Sequence, residues 1–184
     1  MLMMIQKLLC PFDLAAMFVA DRKPILAALS LQPEYLRNAA SESGAVVDYE
    51  HWQLPLGRRF RSLKLWFVLR RYGKVGLLRH LQQGLDLSAY FASLLAQYPE
   101  IFELSAPVSL SLVCFRLVGQ GNDAQRLFLE KIKATGECFI IHTKLGEKIV
   151  LRFACGGLEQ TKDDVLKGFT VILQTALQNK QILL

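Results

Sequence analysis

The stretch DYEHWQLPLGRRFRSLKLWFVLRRYG, residues 48–73, carries the strongest structural signal in this 184-residue chain. Pro55 and Gly57 predict a loop, and from Arg58 the apolar residues recur at helical spacing as far as Gly73. Arginines at such a junction combine guanidinium groups with the free amides of a helix start, an arrangement that binds carboxylates and phosphates. The stretch therefore predicts an anion-binding junction between a loop and a basic, aromatic helix.

The positive charge of the chain is concentrated in the same region. Lys and Arg total 22 against 16 Asp and Glu, a formal net charge of +6. No acidic residue occurs between Glu50 and Asp86. Nucleic-acid binding is one explanation of such a patch. Large apolar residues interleave the charges, however, and this favours a helix whose arginines face water or the acidic groups of a partner.

The chain is rich in apolar residues but has no membrane-length run of them. Hydrophobic residues make up 52% of the sequence, whereas about 45–50% is usual for a globular domain. A membrane helix needs about 20 predominantly apolar residues, and no run approaches that length. We therefore expect the surplus apolar surface to meet protein rather than membrane. Residues 1–9 lack the basic start of a signal peptide, and we expect them to be non-targeting.

The cysteines indicate neither a metal site nor a disulfide framework. Four cysteines are scattered without a CxxC pair and without histidines at metal-binding spacing. Free thiols of a cytoplasmic protein are the expected state. The three histidines stand in no metal motif, and no GxGxxG, GxxxxGK[ST] or GxSxG sequence is present. The sequence thus predicts no metal site, and no local motif for nucleotide binding or α/β-hydrolase chemistry.

The remaining pattern predicts an α/β fold of the α+β type. Residues 13–20 read as a buried strand, Pro24 is suited to start a short helix, and 30–57 are irregular. A second helix over 75–98 either follows the first as a separate element or continues it across a kink at Gly73. Its predicted buried stripe consists of Leu78, Leu81, Leu85, Ala89 and Ala92.

Beyond residue 100 the period changes to that of strands. Segments 102–104 and 109–117 alternate, and 138–143 with 148–155 predict a hairpin. Asp123 is expected to cap a helix that buries Phe128 and Ile132, and Thr161 to cap a last helix over 162–178. The predicted inward face of the last helix is Val165, Phe169, Ile172 and Ala176. The result is a small antiparallel sheet with helices on one side.

Five segments together resemble one enzyme family. These are FDLAAMFV at 12–19, LQPEYLR at 31–37, the opening stretch at 48–73, LVCFRL at 112–117 and KIVLRFA at 148–154. They are similar to the C-terminal portion of the pyridoxal-phosphate-dependent aromatic amino acid decarboxylases, the group II decarboxylases. The resemblance implies the C-terminal part of the fold-type I architecture, in which the active sites lie at a dimer interface.

From this resemblance we expect three regions. Residues 1–30 would be a remnant of the large cofactor domain, 31–57 the mobile catalytic loop, and 58–184 the C-terminal small domain. The implied cofactor is pyridoxal 5'-phosphate and the implied substrate an amino acid, most simply an aromatic one. The implied partner is a second copy or a full-length relative.

The resemblance also assigns roles to individual residues. Tyr35, which from its loop position alone reads as a packing residue or a proton donor, matches the loop tyrosine that protonates the substrate carbon after CO2 leaves. Arg58 matches a loop-end arginine beside the cofactor site. Phe12, Leu56 and Gly57 fall where the family's chain approaches the cofactor phosphate.

One position departs from the family pattern. The family's Schiff-base lysine lies six residues before the phenylalanine of a Phe-Asp pair. Counting back from Phe12 reaches Gln6, and Lys7 is one residue off. We therefore expect these 184 residues, as the C-terminal portion of a decarboxylase, to be inactive on their own. A non-enzymatic interaction module that dimerises with a full-length relative is the main alternative, and a basic nucleic-acid-binding domain is a lesser one.

Overall fold

The structure, a computed structural model, describes residues 2–4, 14–29 and 59–178 and the single positions 9, 43, 49, 52 and 57. The chain divides into two compact units, Met1–Gly73 and Lys74–Leu184. The three predicted regions, 1–30, 31–57 and 58–184, stay predictions. None of the described helices combines the length and the apolar character that a membrane crossing requires.

The first unit contains a two-stranded ribbon and a short helix. Strand β1 (Leu2–Met4) pairs antiparallel with β2 (Ala15–Met17), and α1 spans Lys23–Leu29. The carboxylate of Asp21 accepts a hydrogen bond from the Lys23 amide at 3.0 Å, which supports the helix start. The predicted buried strand over 13–20 is wrong in extent and burial, because Met17 and Phe18 are more than half exposed. A ribbon with no layer packed over it among the described residues cannot bury an apolar run.

A long helix, α2 (Arg61–Leu95), joins the two units and is interrupted at one residue. Gly73 has φ 58° and ψ −173°, a conformation that is essentially restricted to glycine. The helix resumes at the next residue, so α2 consists of two helical segments that meet at a kink at Gly73. The predicted position of the break is confirmed.

The C-terminal segment of α2 buries a different face from the one predicted. The stripe that faces the core contains Leu77, Gly84, Leu87, Ser88, Phe91, Leu94 and Leu95. In the predicted stripe, Leu78 is 54% exposed and Leu85 is 41% exposed. The prediction was wrong because this segment carries two apolar stripes, and periodicity does not say which of them the rest of the chain covers.

The second unit contains the predicted antiparallel sheet. Its strands are β3 (Phe102–Leu104), β4 (Leu112–Leu117), β5 (Ile141–Leu145) and β6 (Lys148–Ala154). They lie in the order β3-β4-β6-β5, and every neighbouring pair is antiparallel. Helix α3 (Asn122–Ala134) lies between β4 and β5 in sequence, and α4 (Lys162–Gln178) follows β6. The predicted hairpin and the α/β fold class are confirmed.

The helices pack on one face of this sheet. Val113, Phe115 and Leu117 alternate along β4, and Leu151 and Phe153 lie beside them on β6. These side chains belong to one buried cluster with residues of the C-terminal segment of α2, of α3 and of α4. The buried helix residues include all six that were predicted to point inward: Phe128, Ile132, Val165, Phe169, Ile172 and Ala176.

Aromatic rings occupy the centre of that cluster. Phe91 of α2 is fully buried and stacks on Phe153 of β6 with ring centroids 3.9 Å apart. It also meets Phe115 and Phe169 edge-on at 5.6 and 6.1 Å. Edge-to-face and stacked pairs are the favoured ring geometries, and each adds to the free energy gained by burial. One phenylalanine thus ties α2 to both the sheet and α4.

Only one of the two predicted helix caps is correct. Thr161 and Asp164 form a reciprocal capping box at the start of α4: the Thr161 amide donates to the Asp164 carboxylate at 2.9 Å, and the Asp164 amide donates to the Thr161 hydroxyl at 3.2 Å. Asp123 does not cap α3, because the N-cap residue is Gly121 and no side chain bonds there. Asp123 lies in the first turn, where its charge complements the helix dipole.

Candidate functional site

The junction before α2 has an open, strained entry. Gly57 is exposed, and apart from its chain neighbours no atom of the described residues lies within 4 Å of where a Cβ would stand. Phe60, next to the first helical residue, has φ 45°, in the left-handed region that side-chain-bearing residues rarely adopt. Its carbonyl accepts a hydrogen bond from the Leu63 amide at 3.0 Å. The backbone is thus forced to turn sharply where the helix begins.

The charges at the start of α2 are all positive. Arg59 stands in the entry, Arg61 is the first helical residue, and Lys64 lies within the first turn, which contains no acid. All three have interaction partners within the structure. Cationic side chains at a helix N-terminus add to the positive end of the helix dipole. This end of α2 is therefore electrostatically suited to an anionic group.

Two aromatic pairs in this unit are each covered by an arginine. Trp66 and Phe67 meet edge-on with centroids 5.1 Å apart, and the Arg70 guanidinium carbon lies 6.0 Å from the Trp66 ring centre. Tyr49 and Trp52 meet at 5.5 Å, and the Arg22 guanidinium carbon lies 5.9 Å from the Trp52 ring centre. Both distances fit a cation–π contact. Nothing in the sequence indicates the second contact, because Arg22 and Trp52 are 30 positions apart.

The same unit exposes an unusual number of large apolar side chains. Of the residues just before and within the N-terminal segment of α2, five are substantially exposed: Phe60, Leu63, Trp66, Phe67 and Leu69. Single exposed apolar residues are ordinary, whereas a contiguous patch of them is typical of interaction surfaces. The expectation that the surplus apolar residues contact a partner stays a prediction.

Most residues that the sequence assigns to the site lie outside the described residues. These are Tyr35, Arg58, Leu56 and Phe12, together with Gln6 and Lys7 at the lysine position. Gly57 is the one that the structure describes. Across the described ranges, no three His, Cys, Asp or Glu side chains lie close enough to hold a metal ion.

The cysteines in the second unit are free thiols, and the pKa of two of them is raised. Burial raises the pKa of the Cys155 thiol to about 11, and burial also raises the pKa of Cys138. A thiol must ionise to act as a nucleophile, and a raised pKa keeps it protonated at neutral pH. Neither residue is therefore suited to nucleophilic chemistry.

Comparison with protein families identifies the class. Residues 6–118 match the family described as the pyridoxal-dependent decarboxylase conserved domain, which is more than half of the chain. The chain belongs to this family of decarboxylases. The resemblance inferred from the five sequence segments is therefore confirmed, and the match includes the loop and the basic helix.

Comparison with individual proteins supports the same family assignment. The chain is 41% identical to aromatic-L-amino-acid decarboxylase of Cavia porcellus over 169 residues, which are 92% of this chain and 35% of that protein. It is 41% identical to phenylacetaldehyde synthase of Arabidopsis thaliana over 171 residues, covering 90% and 35%. The crystal structure of Oryza sativa TDC with PLP and tryptamine matches with a TM-score of 0.75 at 35% identity, covering 83% of this chain and 33% of that one. The chain thus spans about a third of the length of these relatives.

The described residues do not fit a complete pyridoxal phosphate site. Such a site holds the cofactor through a lysine and tunes its ring through an acidic partner of the pyridine nitrogen. In the first unit the described lysines are Lys23 and Lys64, and the described aspartate, Asp21, already accepts a hydrogen bond from the start of α1. What these residues do supply is the positive helix entry described above.

Proposed function

We propose that the protein containing this chain is a pyridoxal-phosphate-dependent decarboxylase of amino acids, with aromatic amino acids as substrates. The observation that carries the proposal is the family match over residues 6–118, reinforced by 41% identity to an aromatic-L-amino-acid decarboxylase. The cationic entry to α2 supports it, because both the substrate and the cofactor carry anionic groups. Pyridoxal phosphate supplies an electron sink for the charge left when the carboxylate departs.

Under this proposal the chain supplies a proton donor and one side of the active-site pocket. Tyr35 donates a proton to the substrate α-carbon after CO2 is lost, and Arg58 lies beside the cofactor site. Gly57, Leu56 and Phe12 line the approach to the cofactor phosphate. Support for the Gly57 assignment is steric, since the space beside its α-carbon is open and a ligand group can come close to the backbone there.

The proposal includes a dimer in the cytoplasm. A site of which this chain forms one wall needs a second polypeptide surface, and the exposed apolar residues around the start of α2 support such a contact. Cys114, Cys138 and Cys155 are free thiols, which suits a reducing compartment.

The identity of the loop residue at position 35 gives the sharpest test. The curated relatives include both a decarboxylase and an aldehyde synthase, so amine and aldehyde are the two products to distinguish. We expect a chimera, in which residues 10–184 of this chain replace the matching C-terminal part of the Cavia porcellus enzyme and that enzyme keeps its own lysine, to release CO2 from L-dopa and form the amine. Tyr35→Phe should shift the product toward the aldehyde when dissolved O2 is present, because the carbon is then not protonated promptly and is oxidised instead, with O2 reduced to hydrogen peroxide and the amino group released as ammonia. Tyr90→Phe is the matched control, and an amine yield unchanged by Tyr35→Phe would disprove the role of Tyr35.

The 184 residues alone are expected to be inactive. Gln6 stands where the family places its lysine, and the described residues do not hold a cofactor by themselves. Purified chain incubated with pyridoxal phosphate should show no protein-bound cofactor absorbance and no CO2 release. Stable absorbance that disappears in Lys7→Ala would show that the lysine one position away has taken over, and would contradict the expectation.

A second candidate function rests on the exposed apolar side chains. Phe60, Trp66 and Phe67 suit an interaction module that pairs with a full-length decarboxylase and regulates it without chemistry of its own. Sedimentation of the chain with the Cavia porcellus enzyme tests this. A complex that Trp66→Glu abolishes would favour the module, whereas a monodisperse monomer that leaves the enzyme unchanged would eliminate it.

A further inference from the structure

The outer side of the C-terminal segment of α2 carries a regular, largely apolar stripe. Its residues follow one another at alternating spacings of three and four positions: Val75, Leu78, Gln82, Leu85, Ala89, Ala92 and Ala96. Val75 is 71% exposed, and Leu78 and Leu85 are exposed as well, so this heptad stripe lies outside the buried core. Such a repeat, sustained here over about three heptads, is the pattern by which one helix packs along another.

The helix presents the heptad stripe as one continuous surface. The kink at Gly73 lies before the stripe, and no further break occurs as far as Leu95. The Ala96 amide donates to the Ala92 carbonyl at 3.0 Å, so helical hydrogen bonding reaches the last residue of the stripe. The stripe extends for about 30 Å. The face that packs on the sheet lies on the opposite side of the helix, which leaves room for a partner helix along the whole stripe.

The sizes of the side chains suit a second copy of the same helix in antiparallel orientation. Val75 and Leu78 occupy the first half of the stripe, and alanines occupy the second half. Antiparallel packing sets the first half of each copy against the second half of the other. One register pairs the following residues of the two copies: Val75 with Ala92, Leu78 with Ala89, and Leu85 with Gln82. Its outer layers combine a large side chain with a small one, which keeps the two helices evenly spaced.

The charges beside the heptad stripe are complementary in the same register. Arg79 and Asp86 each follow a leucine of the stripe by one position and therefore lie on the same flank of it. Antiparallel packing brings Arg79 of each copy close to Asp86 of the other, so two such pairs form. In a parallel pair Arg79 would instead approach Lys74 of the other copy, which is a like charge. Charge as well as size thus favours the antiparallel arrangement.

The polar residue within the heptad stripe is compatible with this packing. Gln82 Nε2 donates to Asp86 Oδ1 at 2.9 Å, which draws the amide toward the charged flank. The methylene groups of Gln82 remain to pack against Leu85 of the other copy. A polar residue at one position of such a repeat also fixes the register of a helix pair, because other registers bury it against apolar layers.

Two other cations near the heptad stripe do not oppose the pairing. Lys74 lies at the end of the stripe, where it faces residues 88–97 of the other copy, a segment without charged residues. Lys162 lines a cavity beside the charged flank, and its ammonium lies 5.6 Å from the centre of the Tyr90 ring, within the range of a cation–π contact. The two flank pairs are therefore the charges that meet.

We propose that the heptad stripe of α2 binds the heptad stripe of a second copy of the chain in an antiparallel helix pair. The contact lies entirely in the second unit and is separate from the exposed aromatic residues around the start of α2. A surface formed by one helix of this length is small, and small interfaces are typical of weak, reversible association. The proposal concerns association alone and does not depend on the decarboxylase activity.

Sedimentation equilibrium of the 184-residue chain over a wide range of concentrations tests the proposal. We expect a reversible equilibrium between monomer and dimer. Leu78→Glu should weaken the dimer by at least about tenfold, because a carboxylate would be buried in an apolar layer. Leu127→Glu, the same change at a leucine of α3 that is 50% exposed, should have little effect.

Three outcomes of this experiment would overturn the proposal. A chain that stays monomeric would assign the heptad stripe to another occupant, such as the part of the decarboxylase outside these residues. Equal losses in Leu78→Glu and Leu127→Glu would reduce the association to a general effect of added negative charge. A dimer that Trp66→Glu abolishes and Leu78→Glu preserves would place the contact in the first unit.

Exchange of the flank charges tests the orientation without altering the apolar layers. Arg79→Asp should weaken the dimer by about threefold or more, because two attractive pairs become repulsive. Addition of Asp86→Arg restores both pairs with the signs exchanged and should recover most of the lost affinity. A parallel pair gives the opposite result, since Arg79→Asp then meets Lys74 and strengthens the dimer. Strengthening by the single change, or no recovery in the double variant, would refute the antiparallel pair.

Discussion

We expect the side chain of Gln125 to stabilise the fold by joining α3 to β4 through hydrogen bonds. The pH dependence of the unfolding free energy of a variant at this position measures that contribution. The Gln125 side chain is fully buried in α3 and makes two bonds to one residue of β4. The Leu117 amide donates to Gln125 Oε1 at 3.1 Å, and Gln125 Nε2 donates to the Leu117 carbonyl at 3.0 Å. Leu117 is also fully buried, so no water can replace either bond. The bridge therefore holds α3 to the end of a central strand.

The substitution Gln125→Glu separates this role from simple packing. A protonated carboxyl reproduces both bonds, since its carbonyl oxygen accepts and its hydroxyl donates. An ionised carboxylate cannot donate to the Leu117 carbonyl and loses its hydration on burial, so the pKa of the introduced group must rise above the usual value of about 4.3 in the folded state. A raised pKa in the native state means that stability is greatest below about pH 4.3 and is lost as pH rises.

The magnitude follows from the linkage between protonation and folding. The variant should lose about 1.4 kcal/mol of unfolding free energy per pH unit relative to the unsubstituted protein. The loss continues from about pH 4.3 until the raised pKa is reached, and approaches about 3.7 kcal/mol at pH 7 if the carboxyl is still protonated there. Urea unfolding followed by circular dichroism between pH 5 and 7.5 measures it.

Two comparisons make the result decisive. Gln174→Glu, the same change at an exposed position of α4, should show almost no difference from the unsubstituted protein at any of these pH values. Gln125→Leu should lose about 2 kcal/mol or more, independently of pH, because it leaves the buried amide and carbonyl of Leu117 unpaired. A flat pH dependence for Gln125→Glu would mean that the carboxylate reaches water and that the bridge does not exist as described.

Two further predictions concern close packing and capping. Gly84→Ala should destabilise the protein by about 1 kcal/mol. The added Cβ would stand 2.9 Å from the Ser111 Cβ and 3.1 Å from the Cys155 carbonyl oxygen. The overpacking cost of about 1–3 kcal/mol exceeds the roughly 1 kcal/mol that alanine gains over glycine in helix propensity. Gly156→Ala, where the added carbon meets no atom within 4 Å outside its chain neighbours, is the control in the same urea assay, and equal stability of the two variants would refute the contact. The pKa of Asp164 is lowered mainly by the hydrogen bond from the Thr161 amide and, to a smaller extent, by the bond from the Thr161 hydroxyl. The contribution of this cap to stability is therefore present above the ordinary aspartate pKa and disappears as pH falls through the lowered pKa. Asp164→Asn should lose that acid-range dependence, which thermal melts at acid pH would detect, and an unchanged pH profile would contradict the capping role.

Local sequence patterns predicted most helices and strands of the second unit correctly. The cap at Thr161, the hairpin that contains β5 and β6, and the inward faces of α3 and α4 all depend on residues within one element or its ends. Their energetics are local, because a cap, a turn or an amphipathic stripe is built from neighbours in the chain. The family was recognisable for a related reason, since its motifs are contiguous runs of residues.

Tertiary structure decided the features that need partners from distant parts of the chain. The sequence of α2 offers two apolar stripes, and only the aromatic residues of the sheet and of α4 determine that Phe91 is buried while Leu78 is exposed. The Gln125 bridge and the bond from Ile149 to Asn122 likewise join residues whose spacing carries no periodic signal. The sequence by itself determined which elements form and to which family they belong. The tertiary structure determined which faces are buried, because burial depends on the layer that packs against an element and not on the element alone.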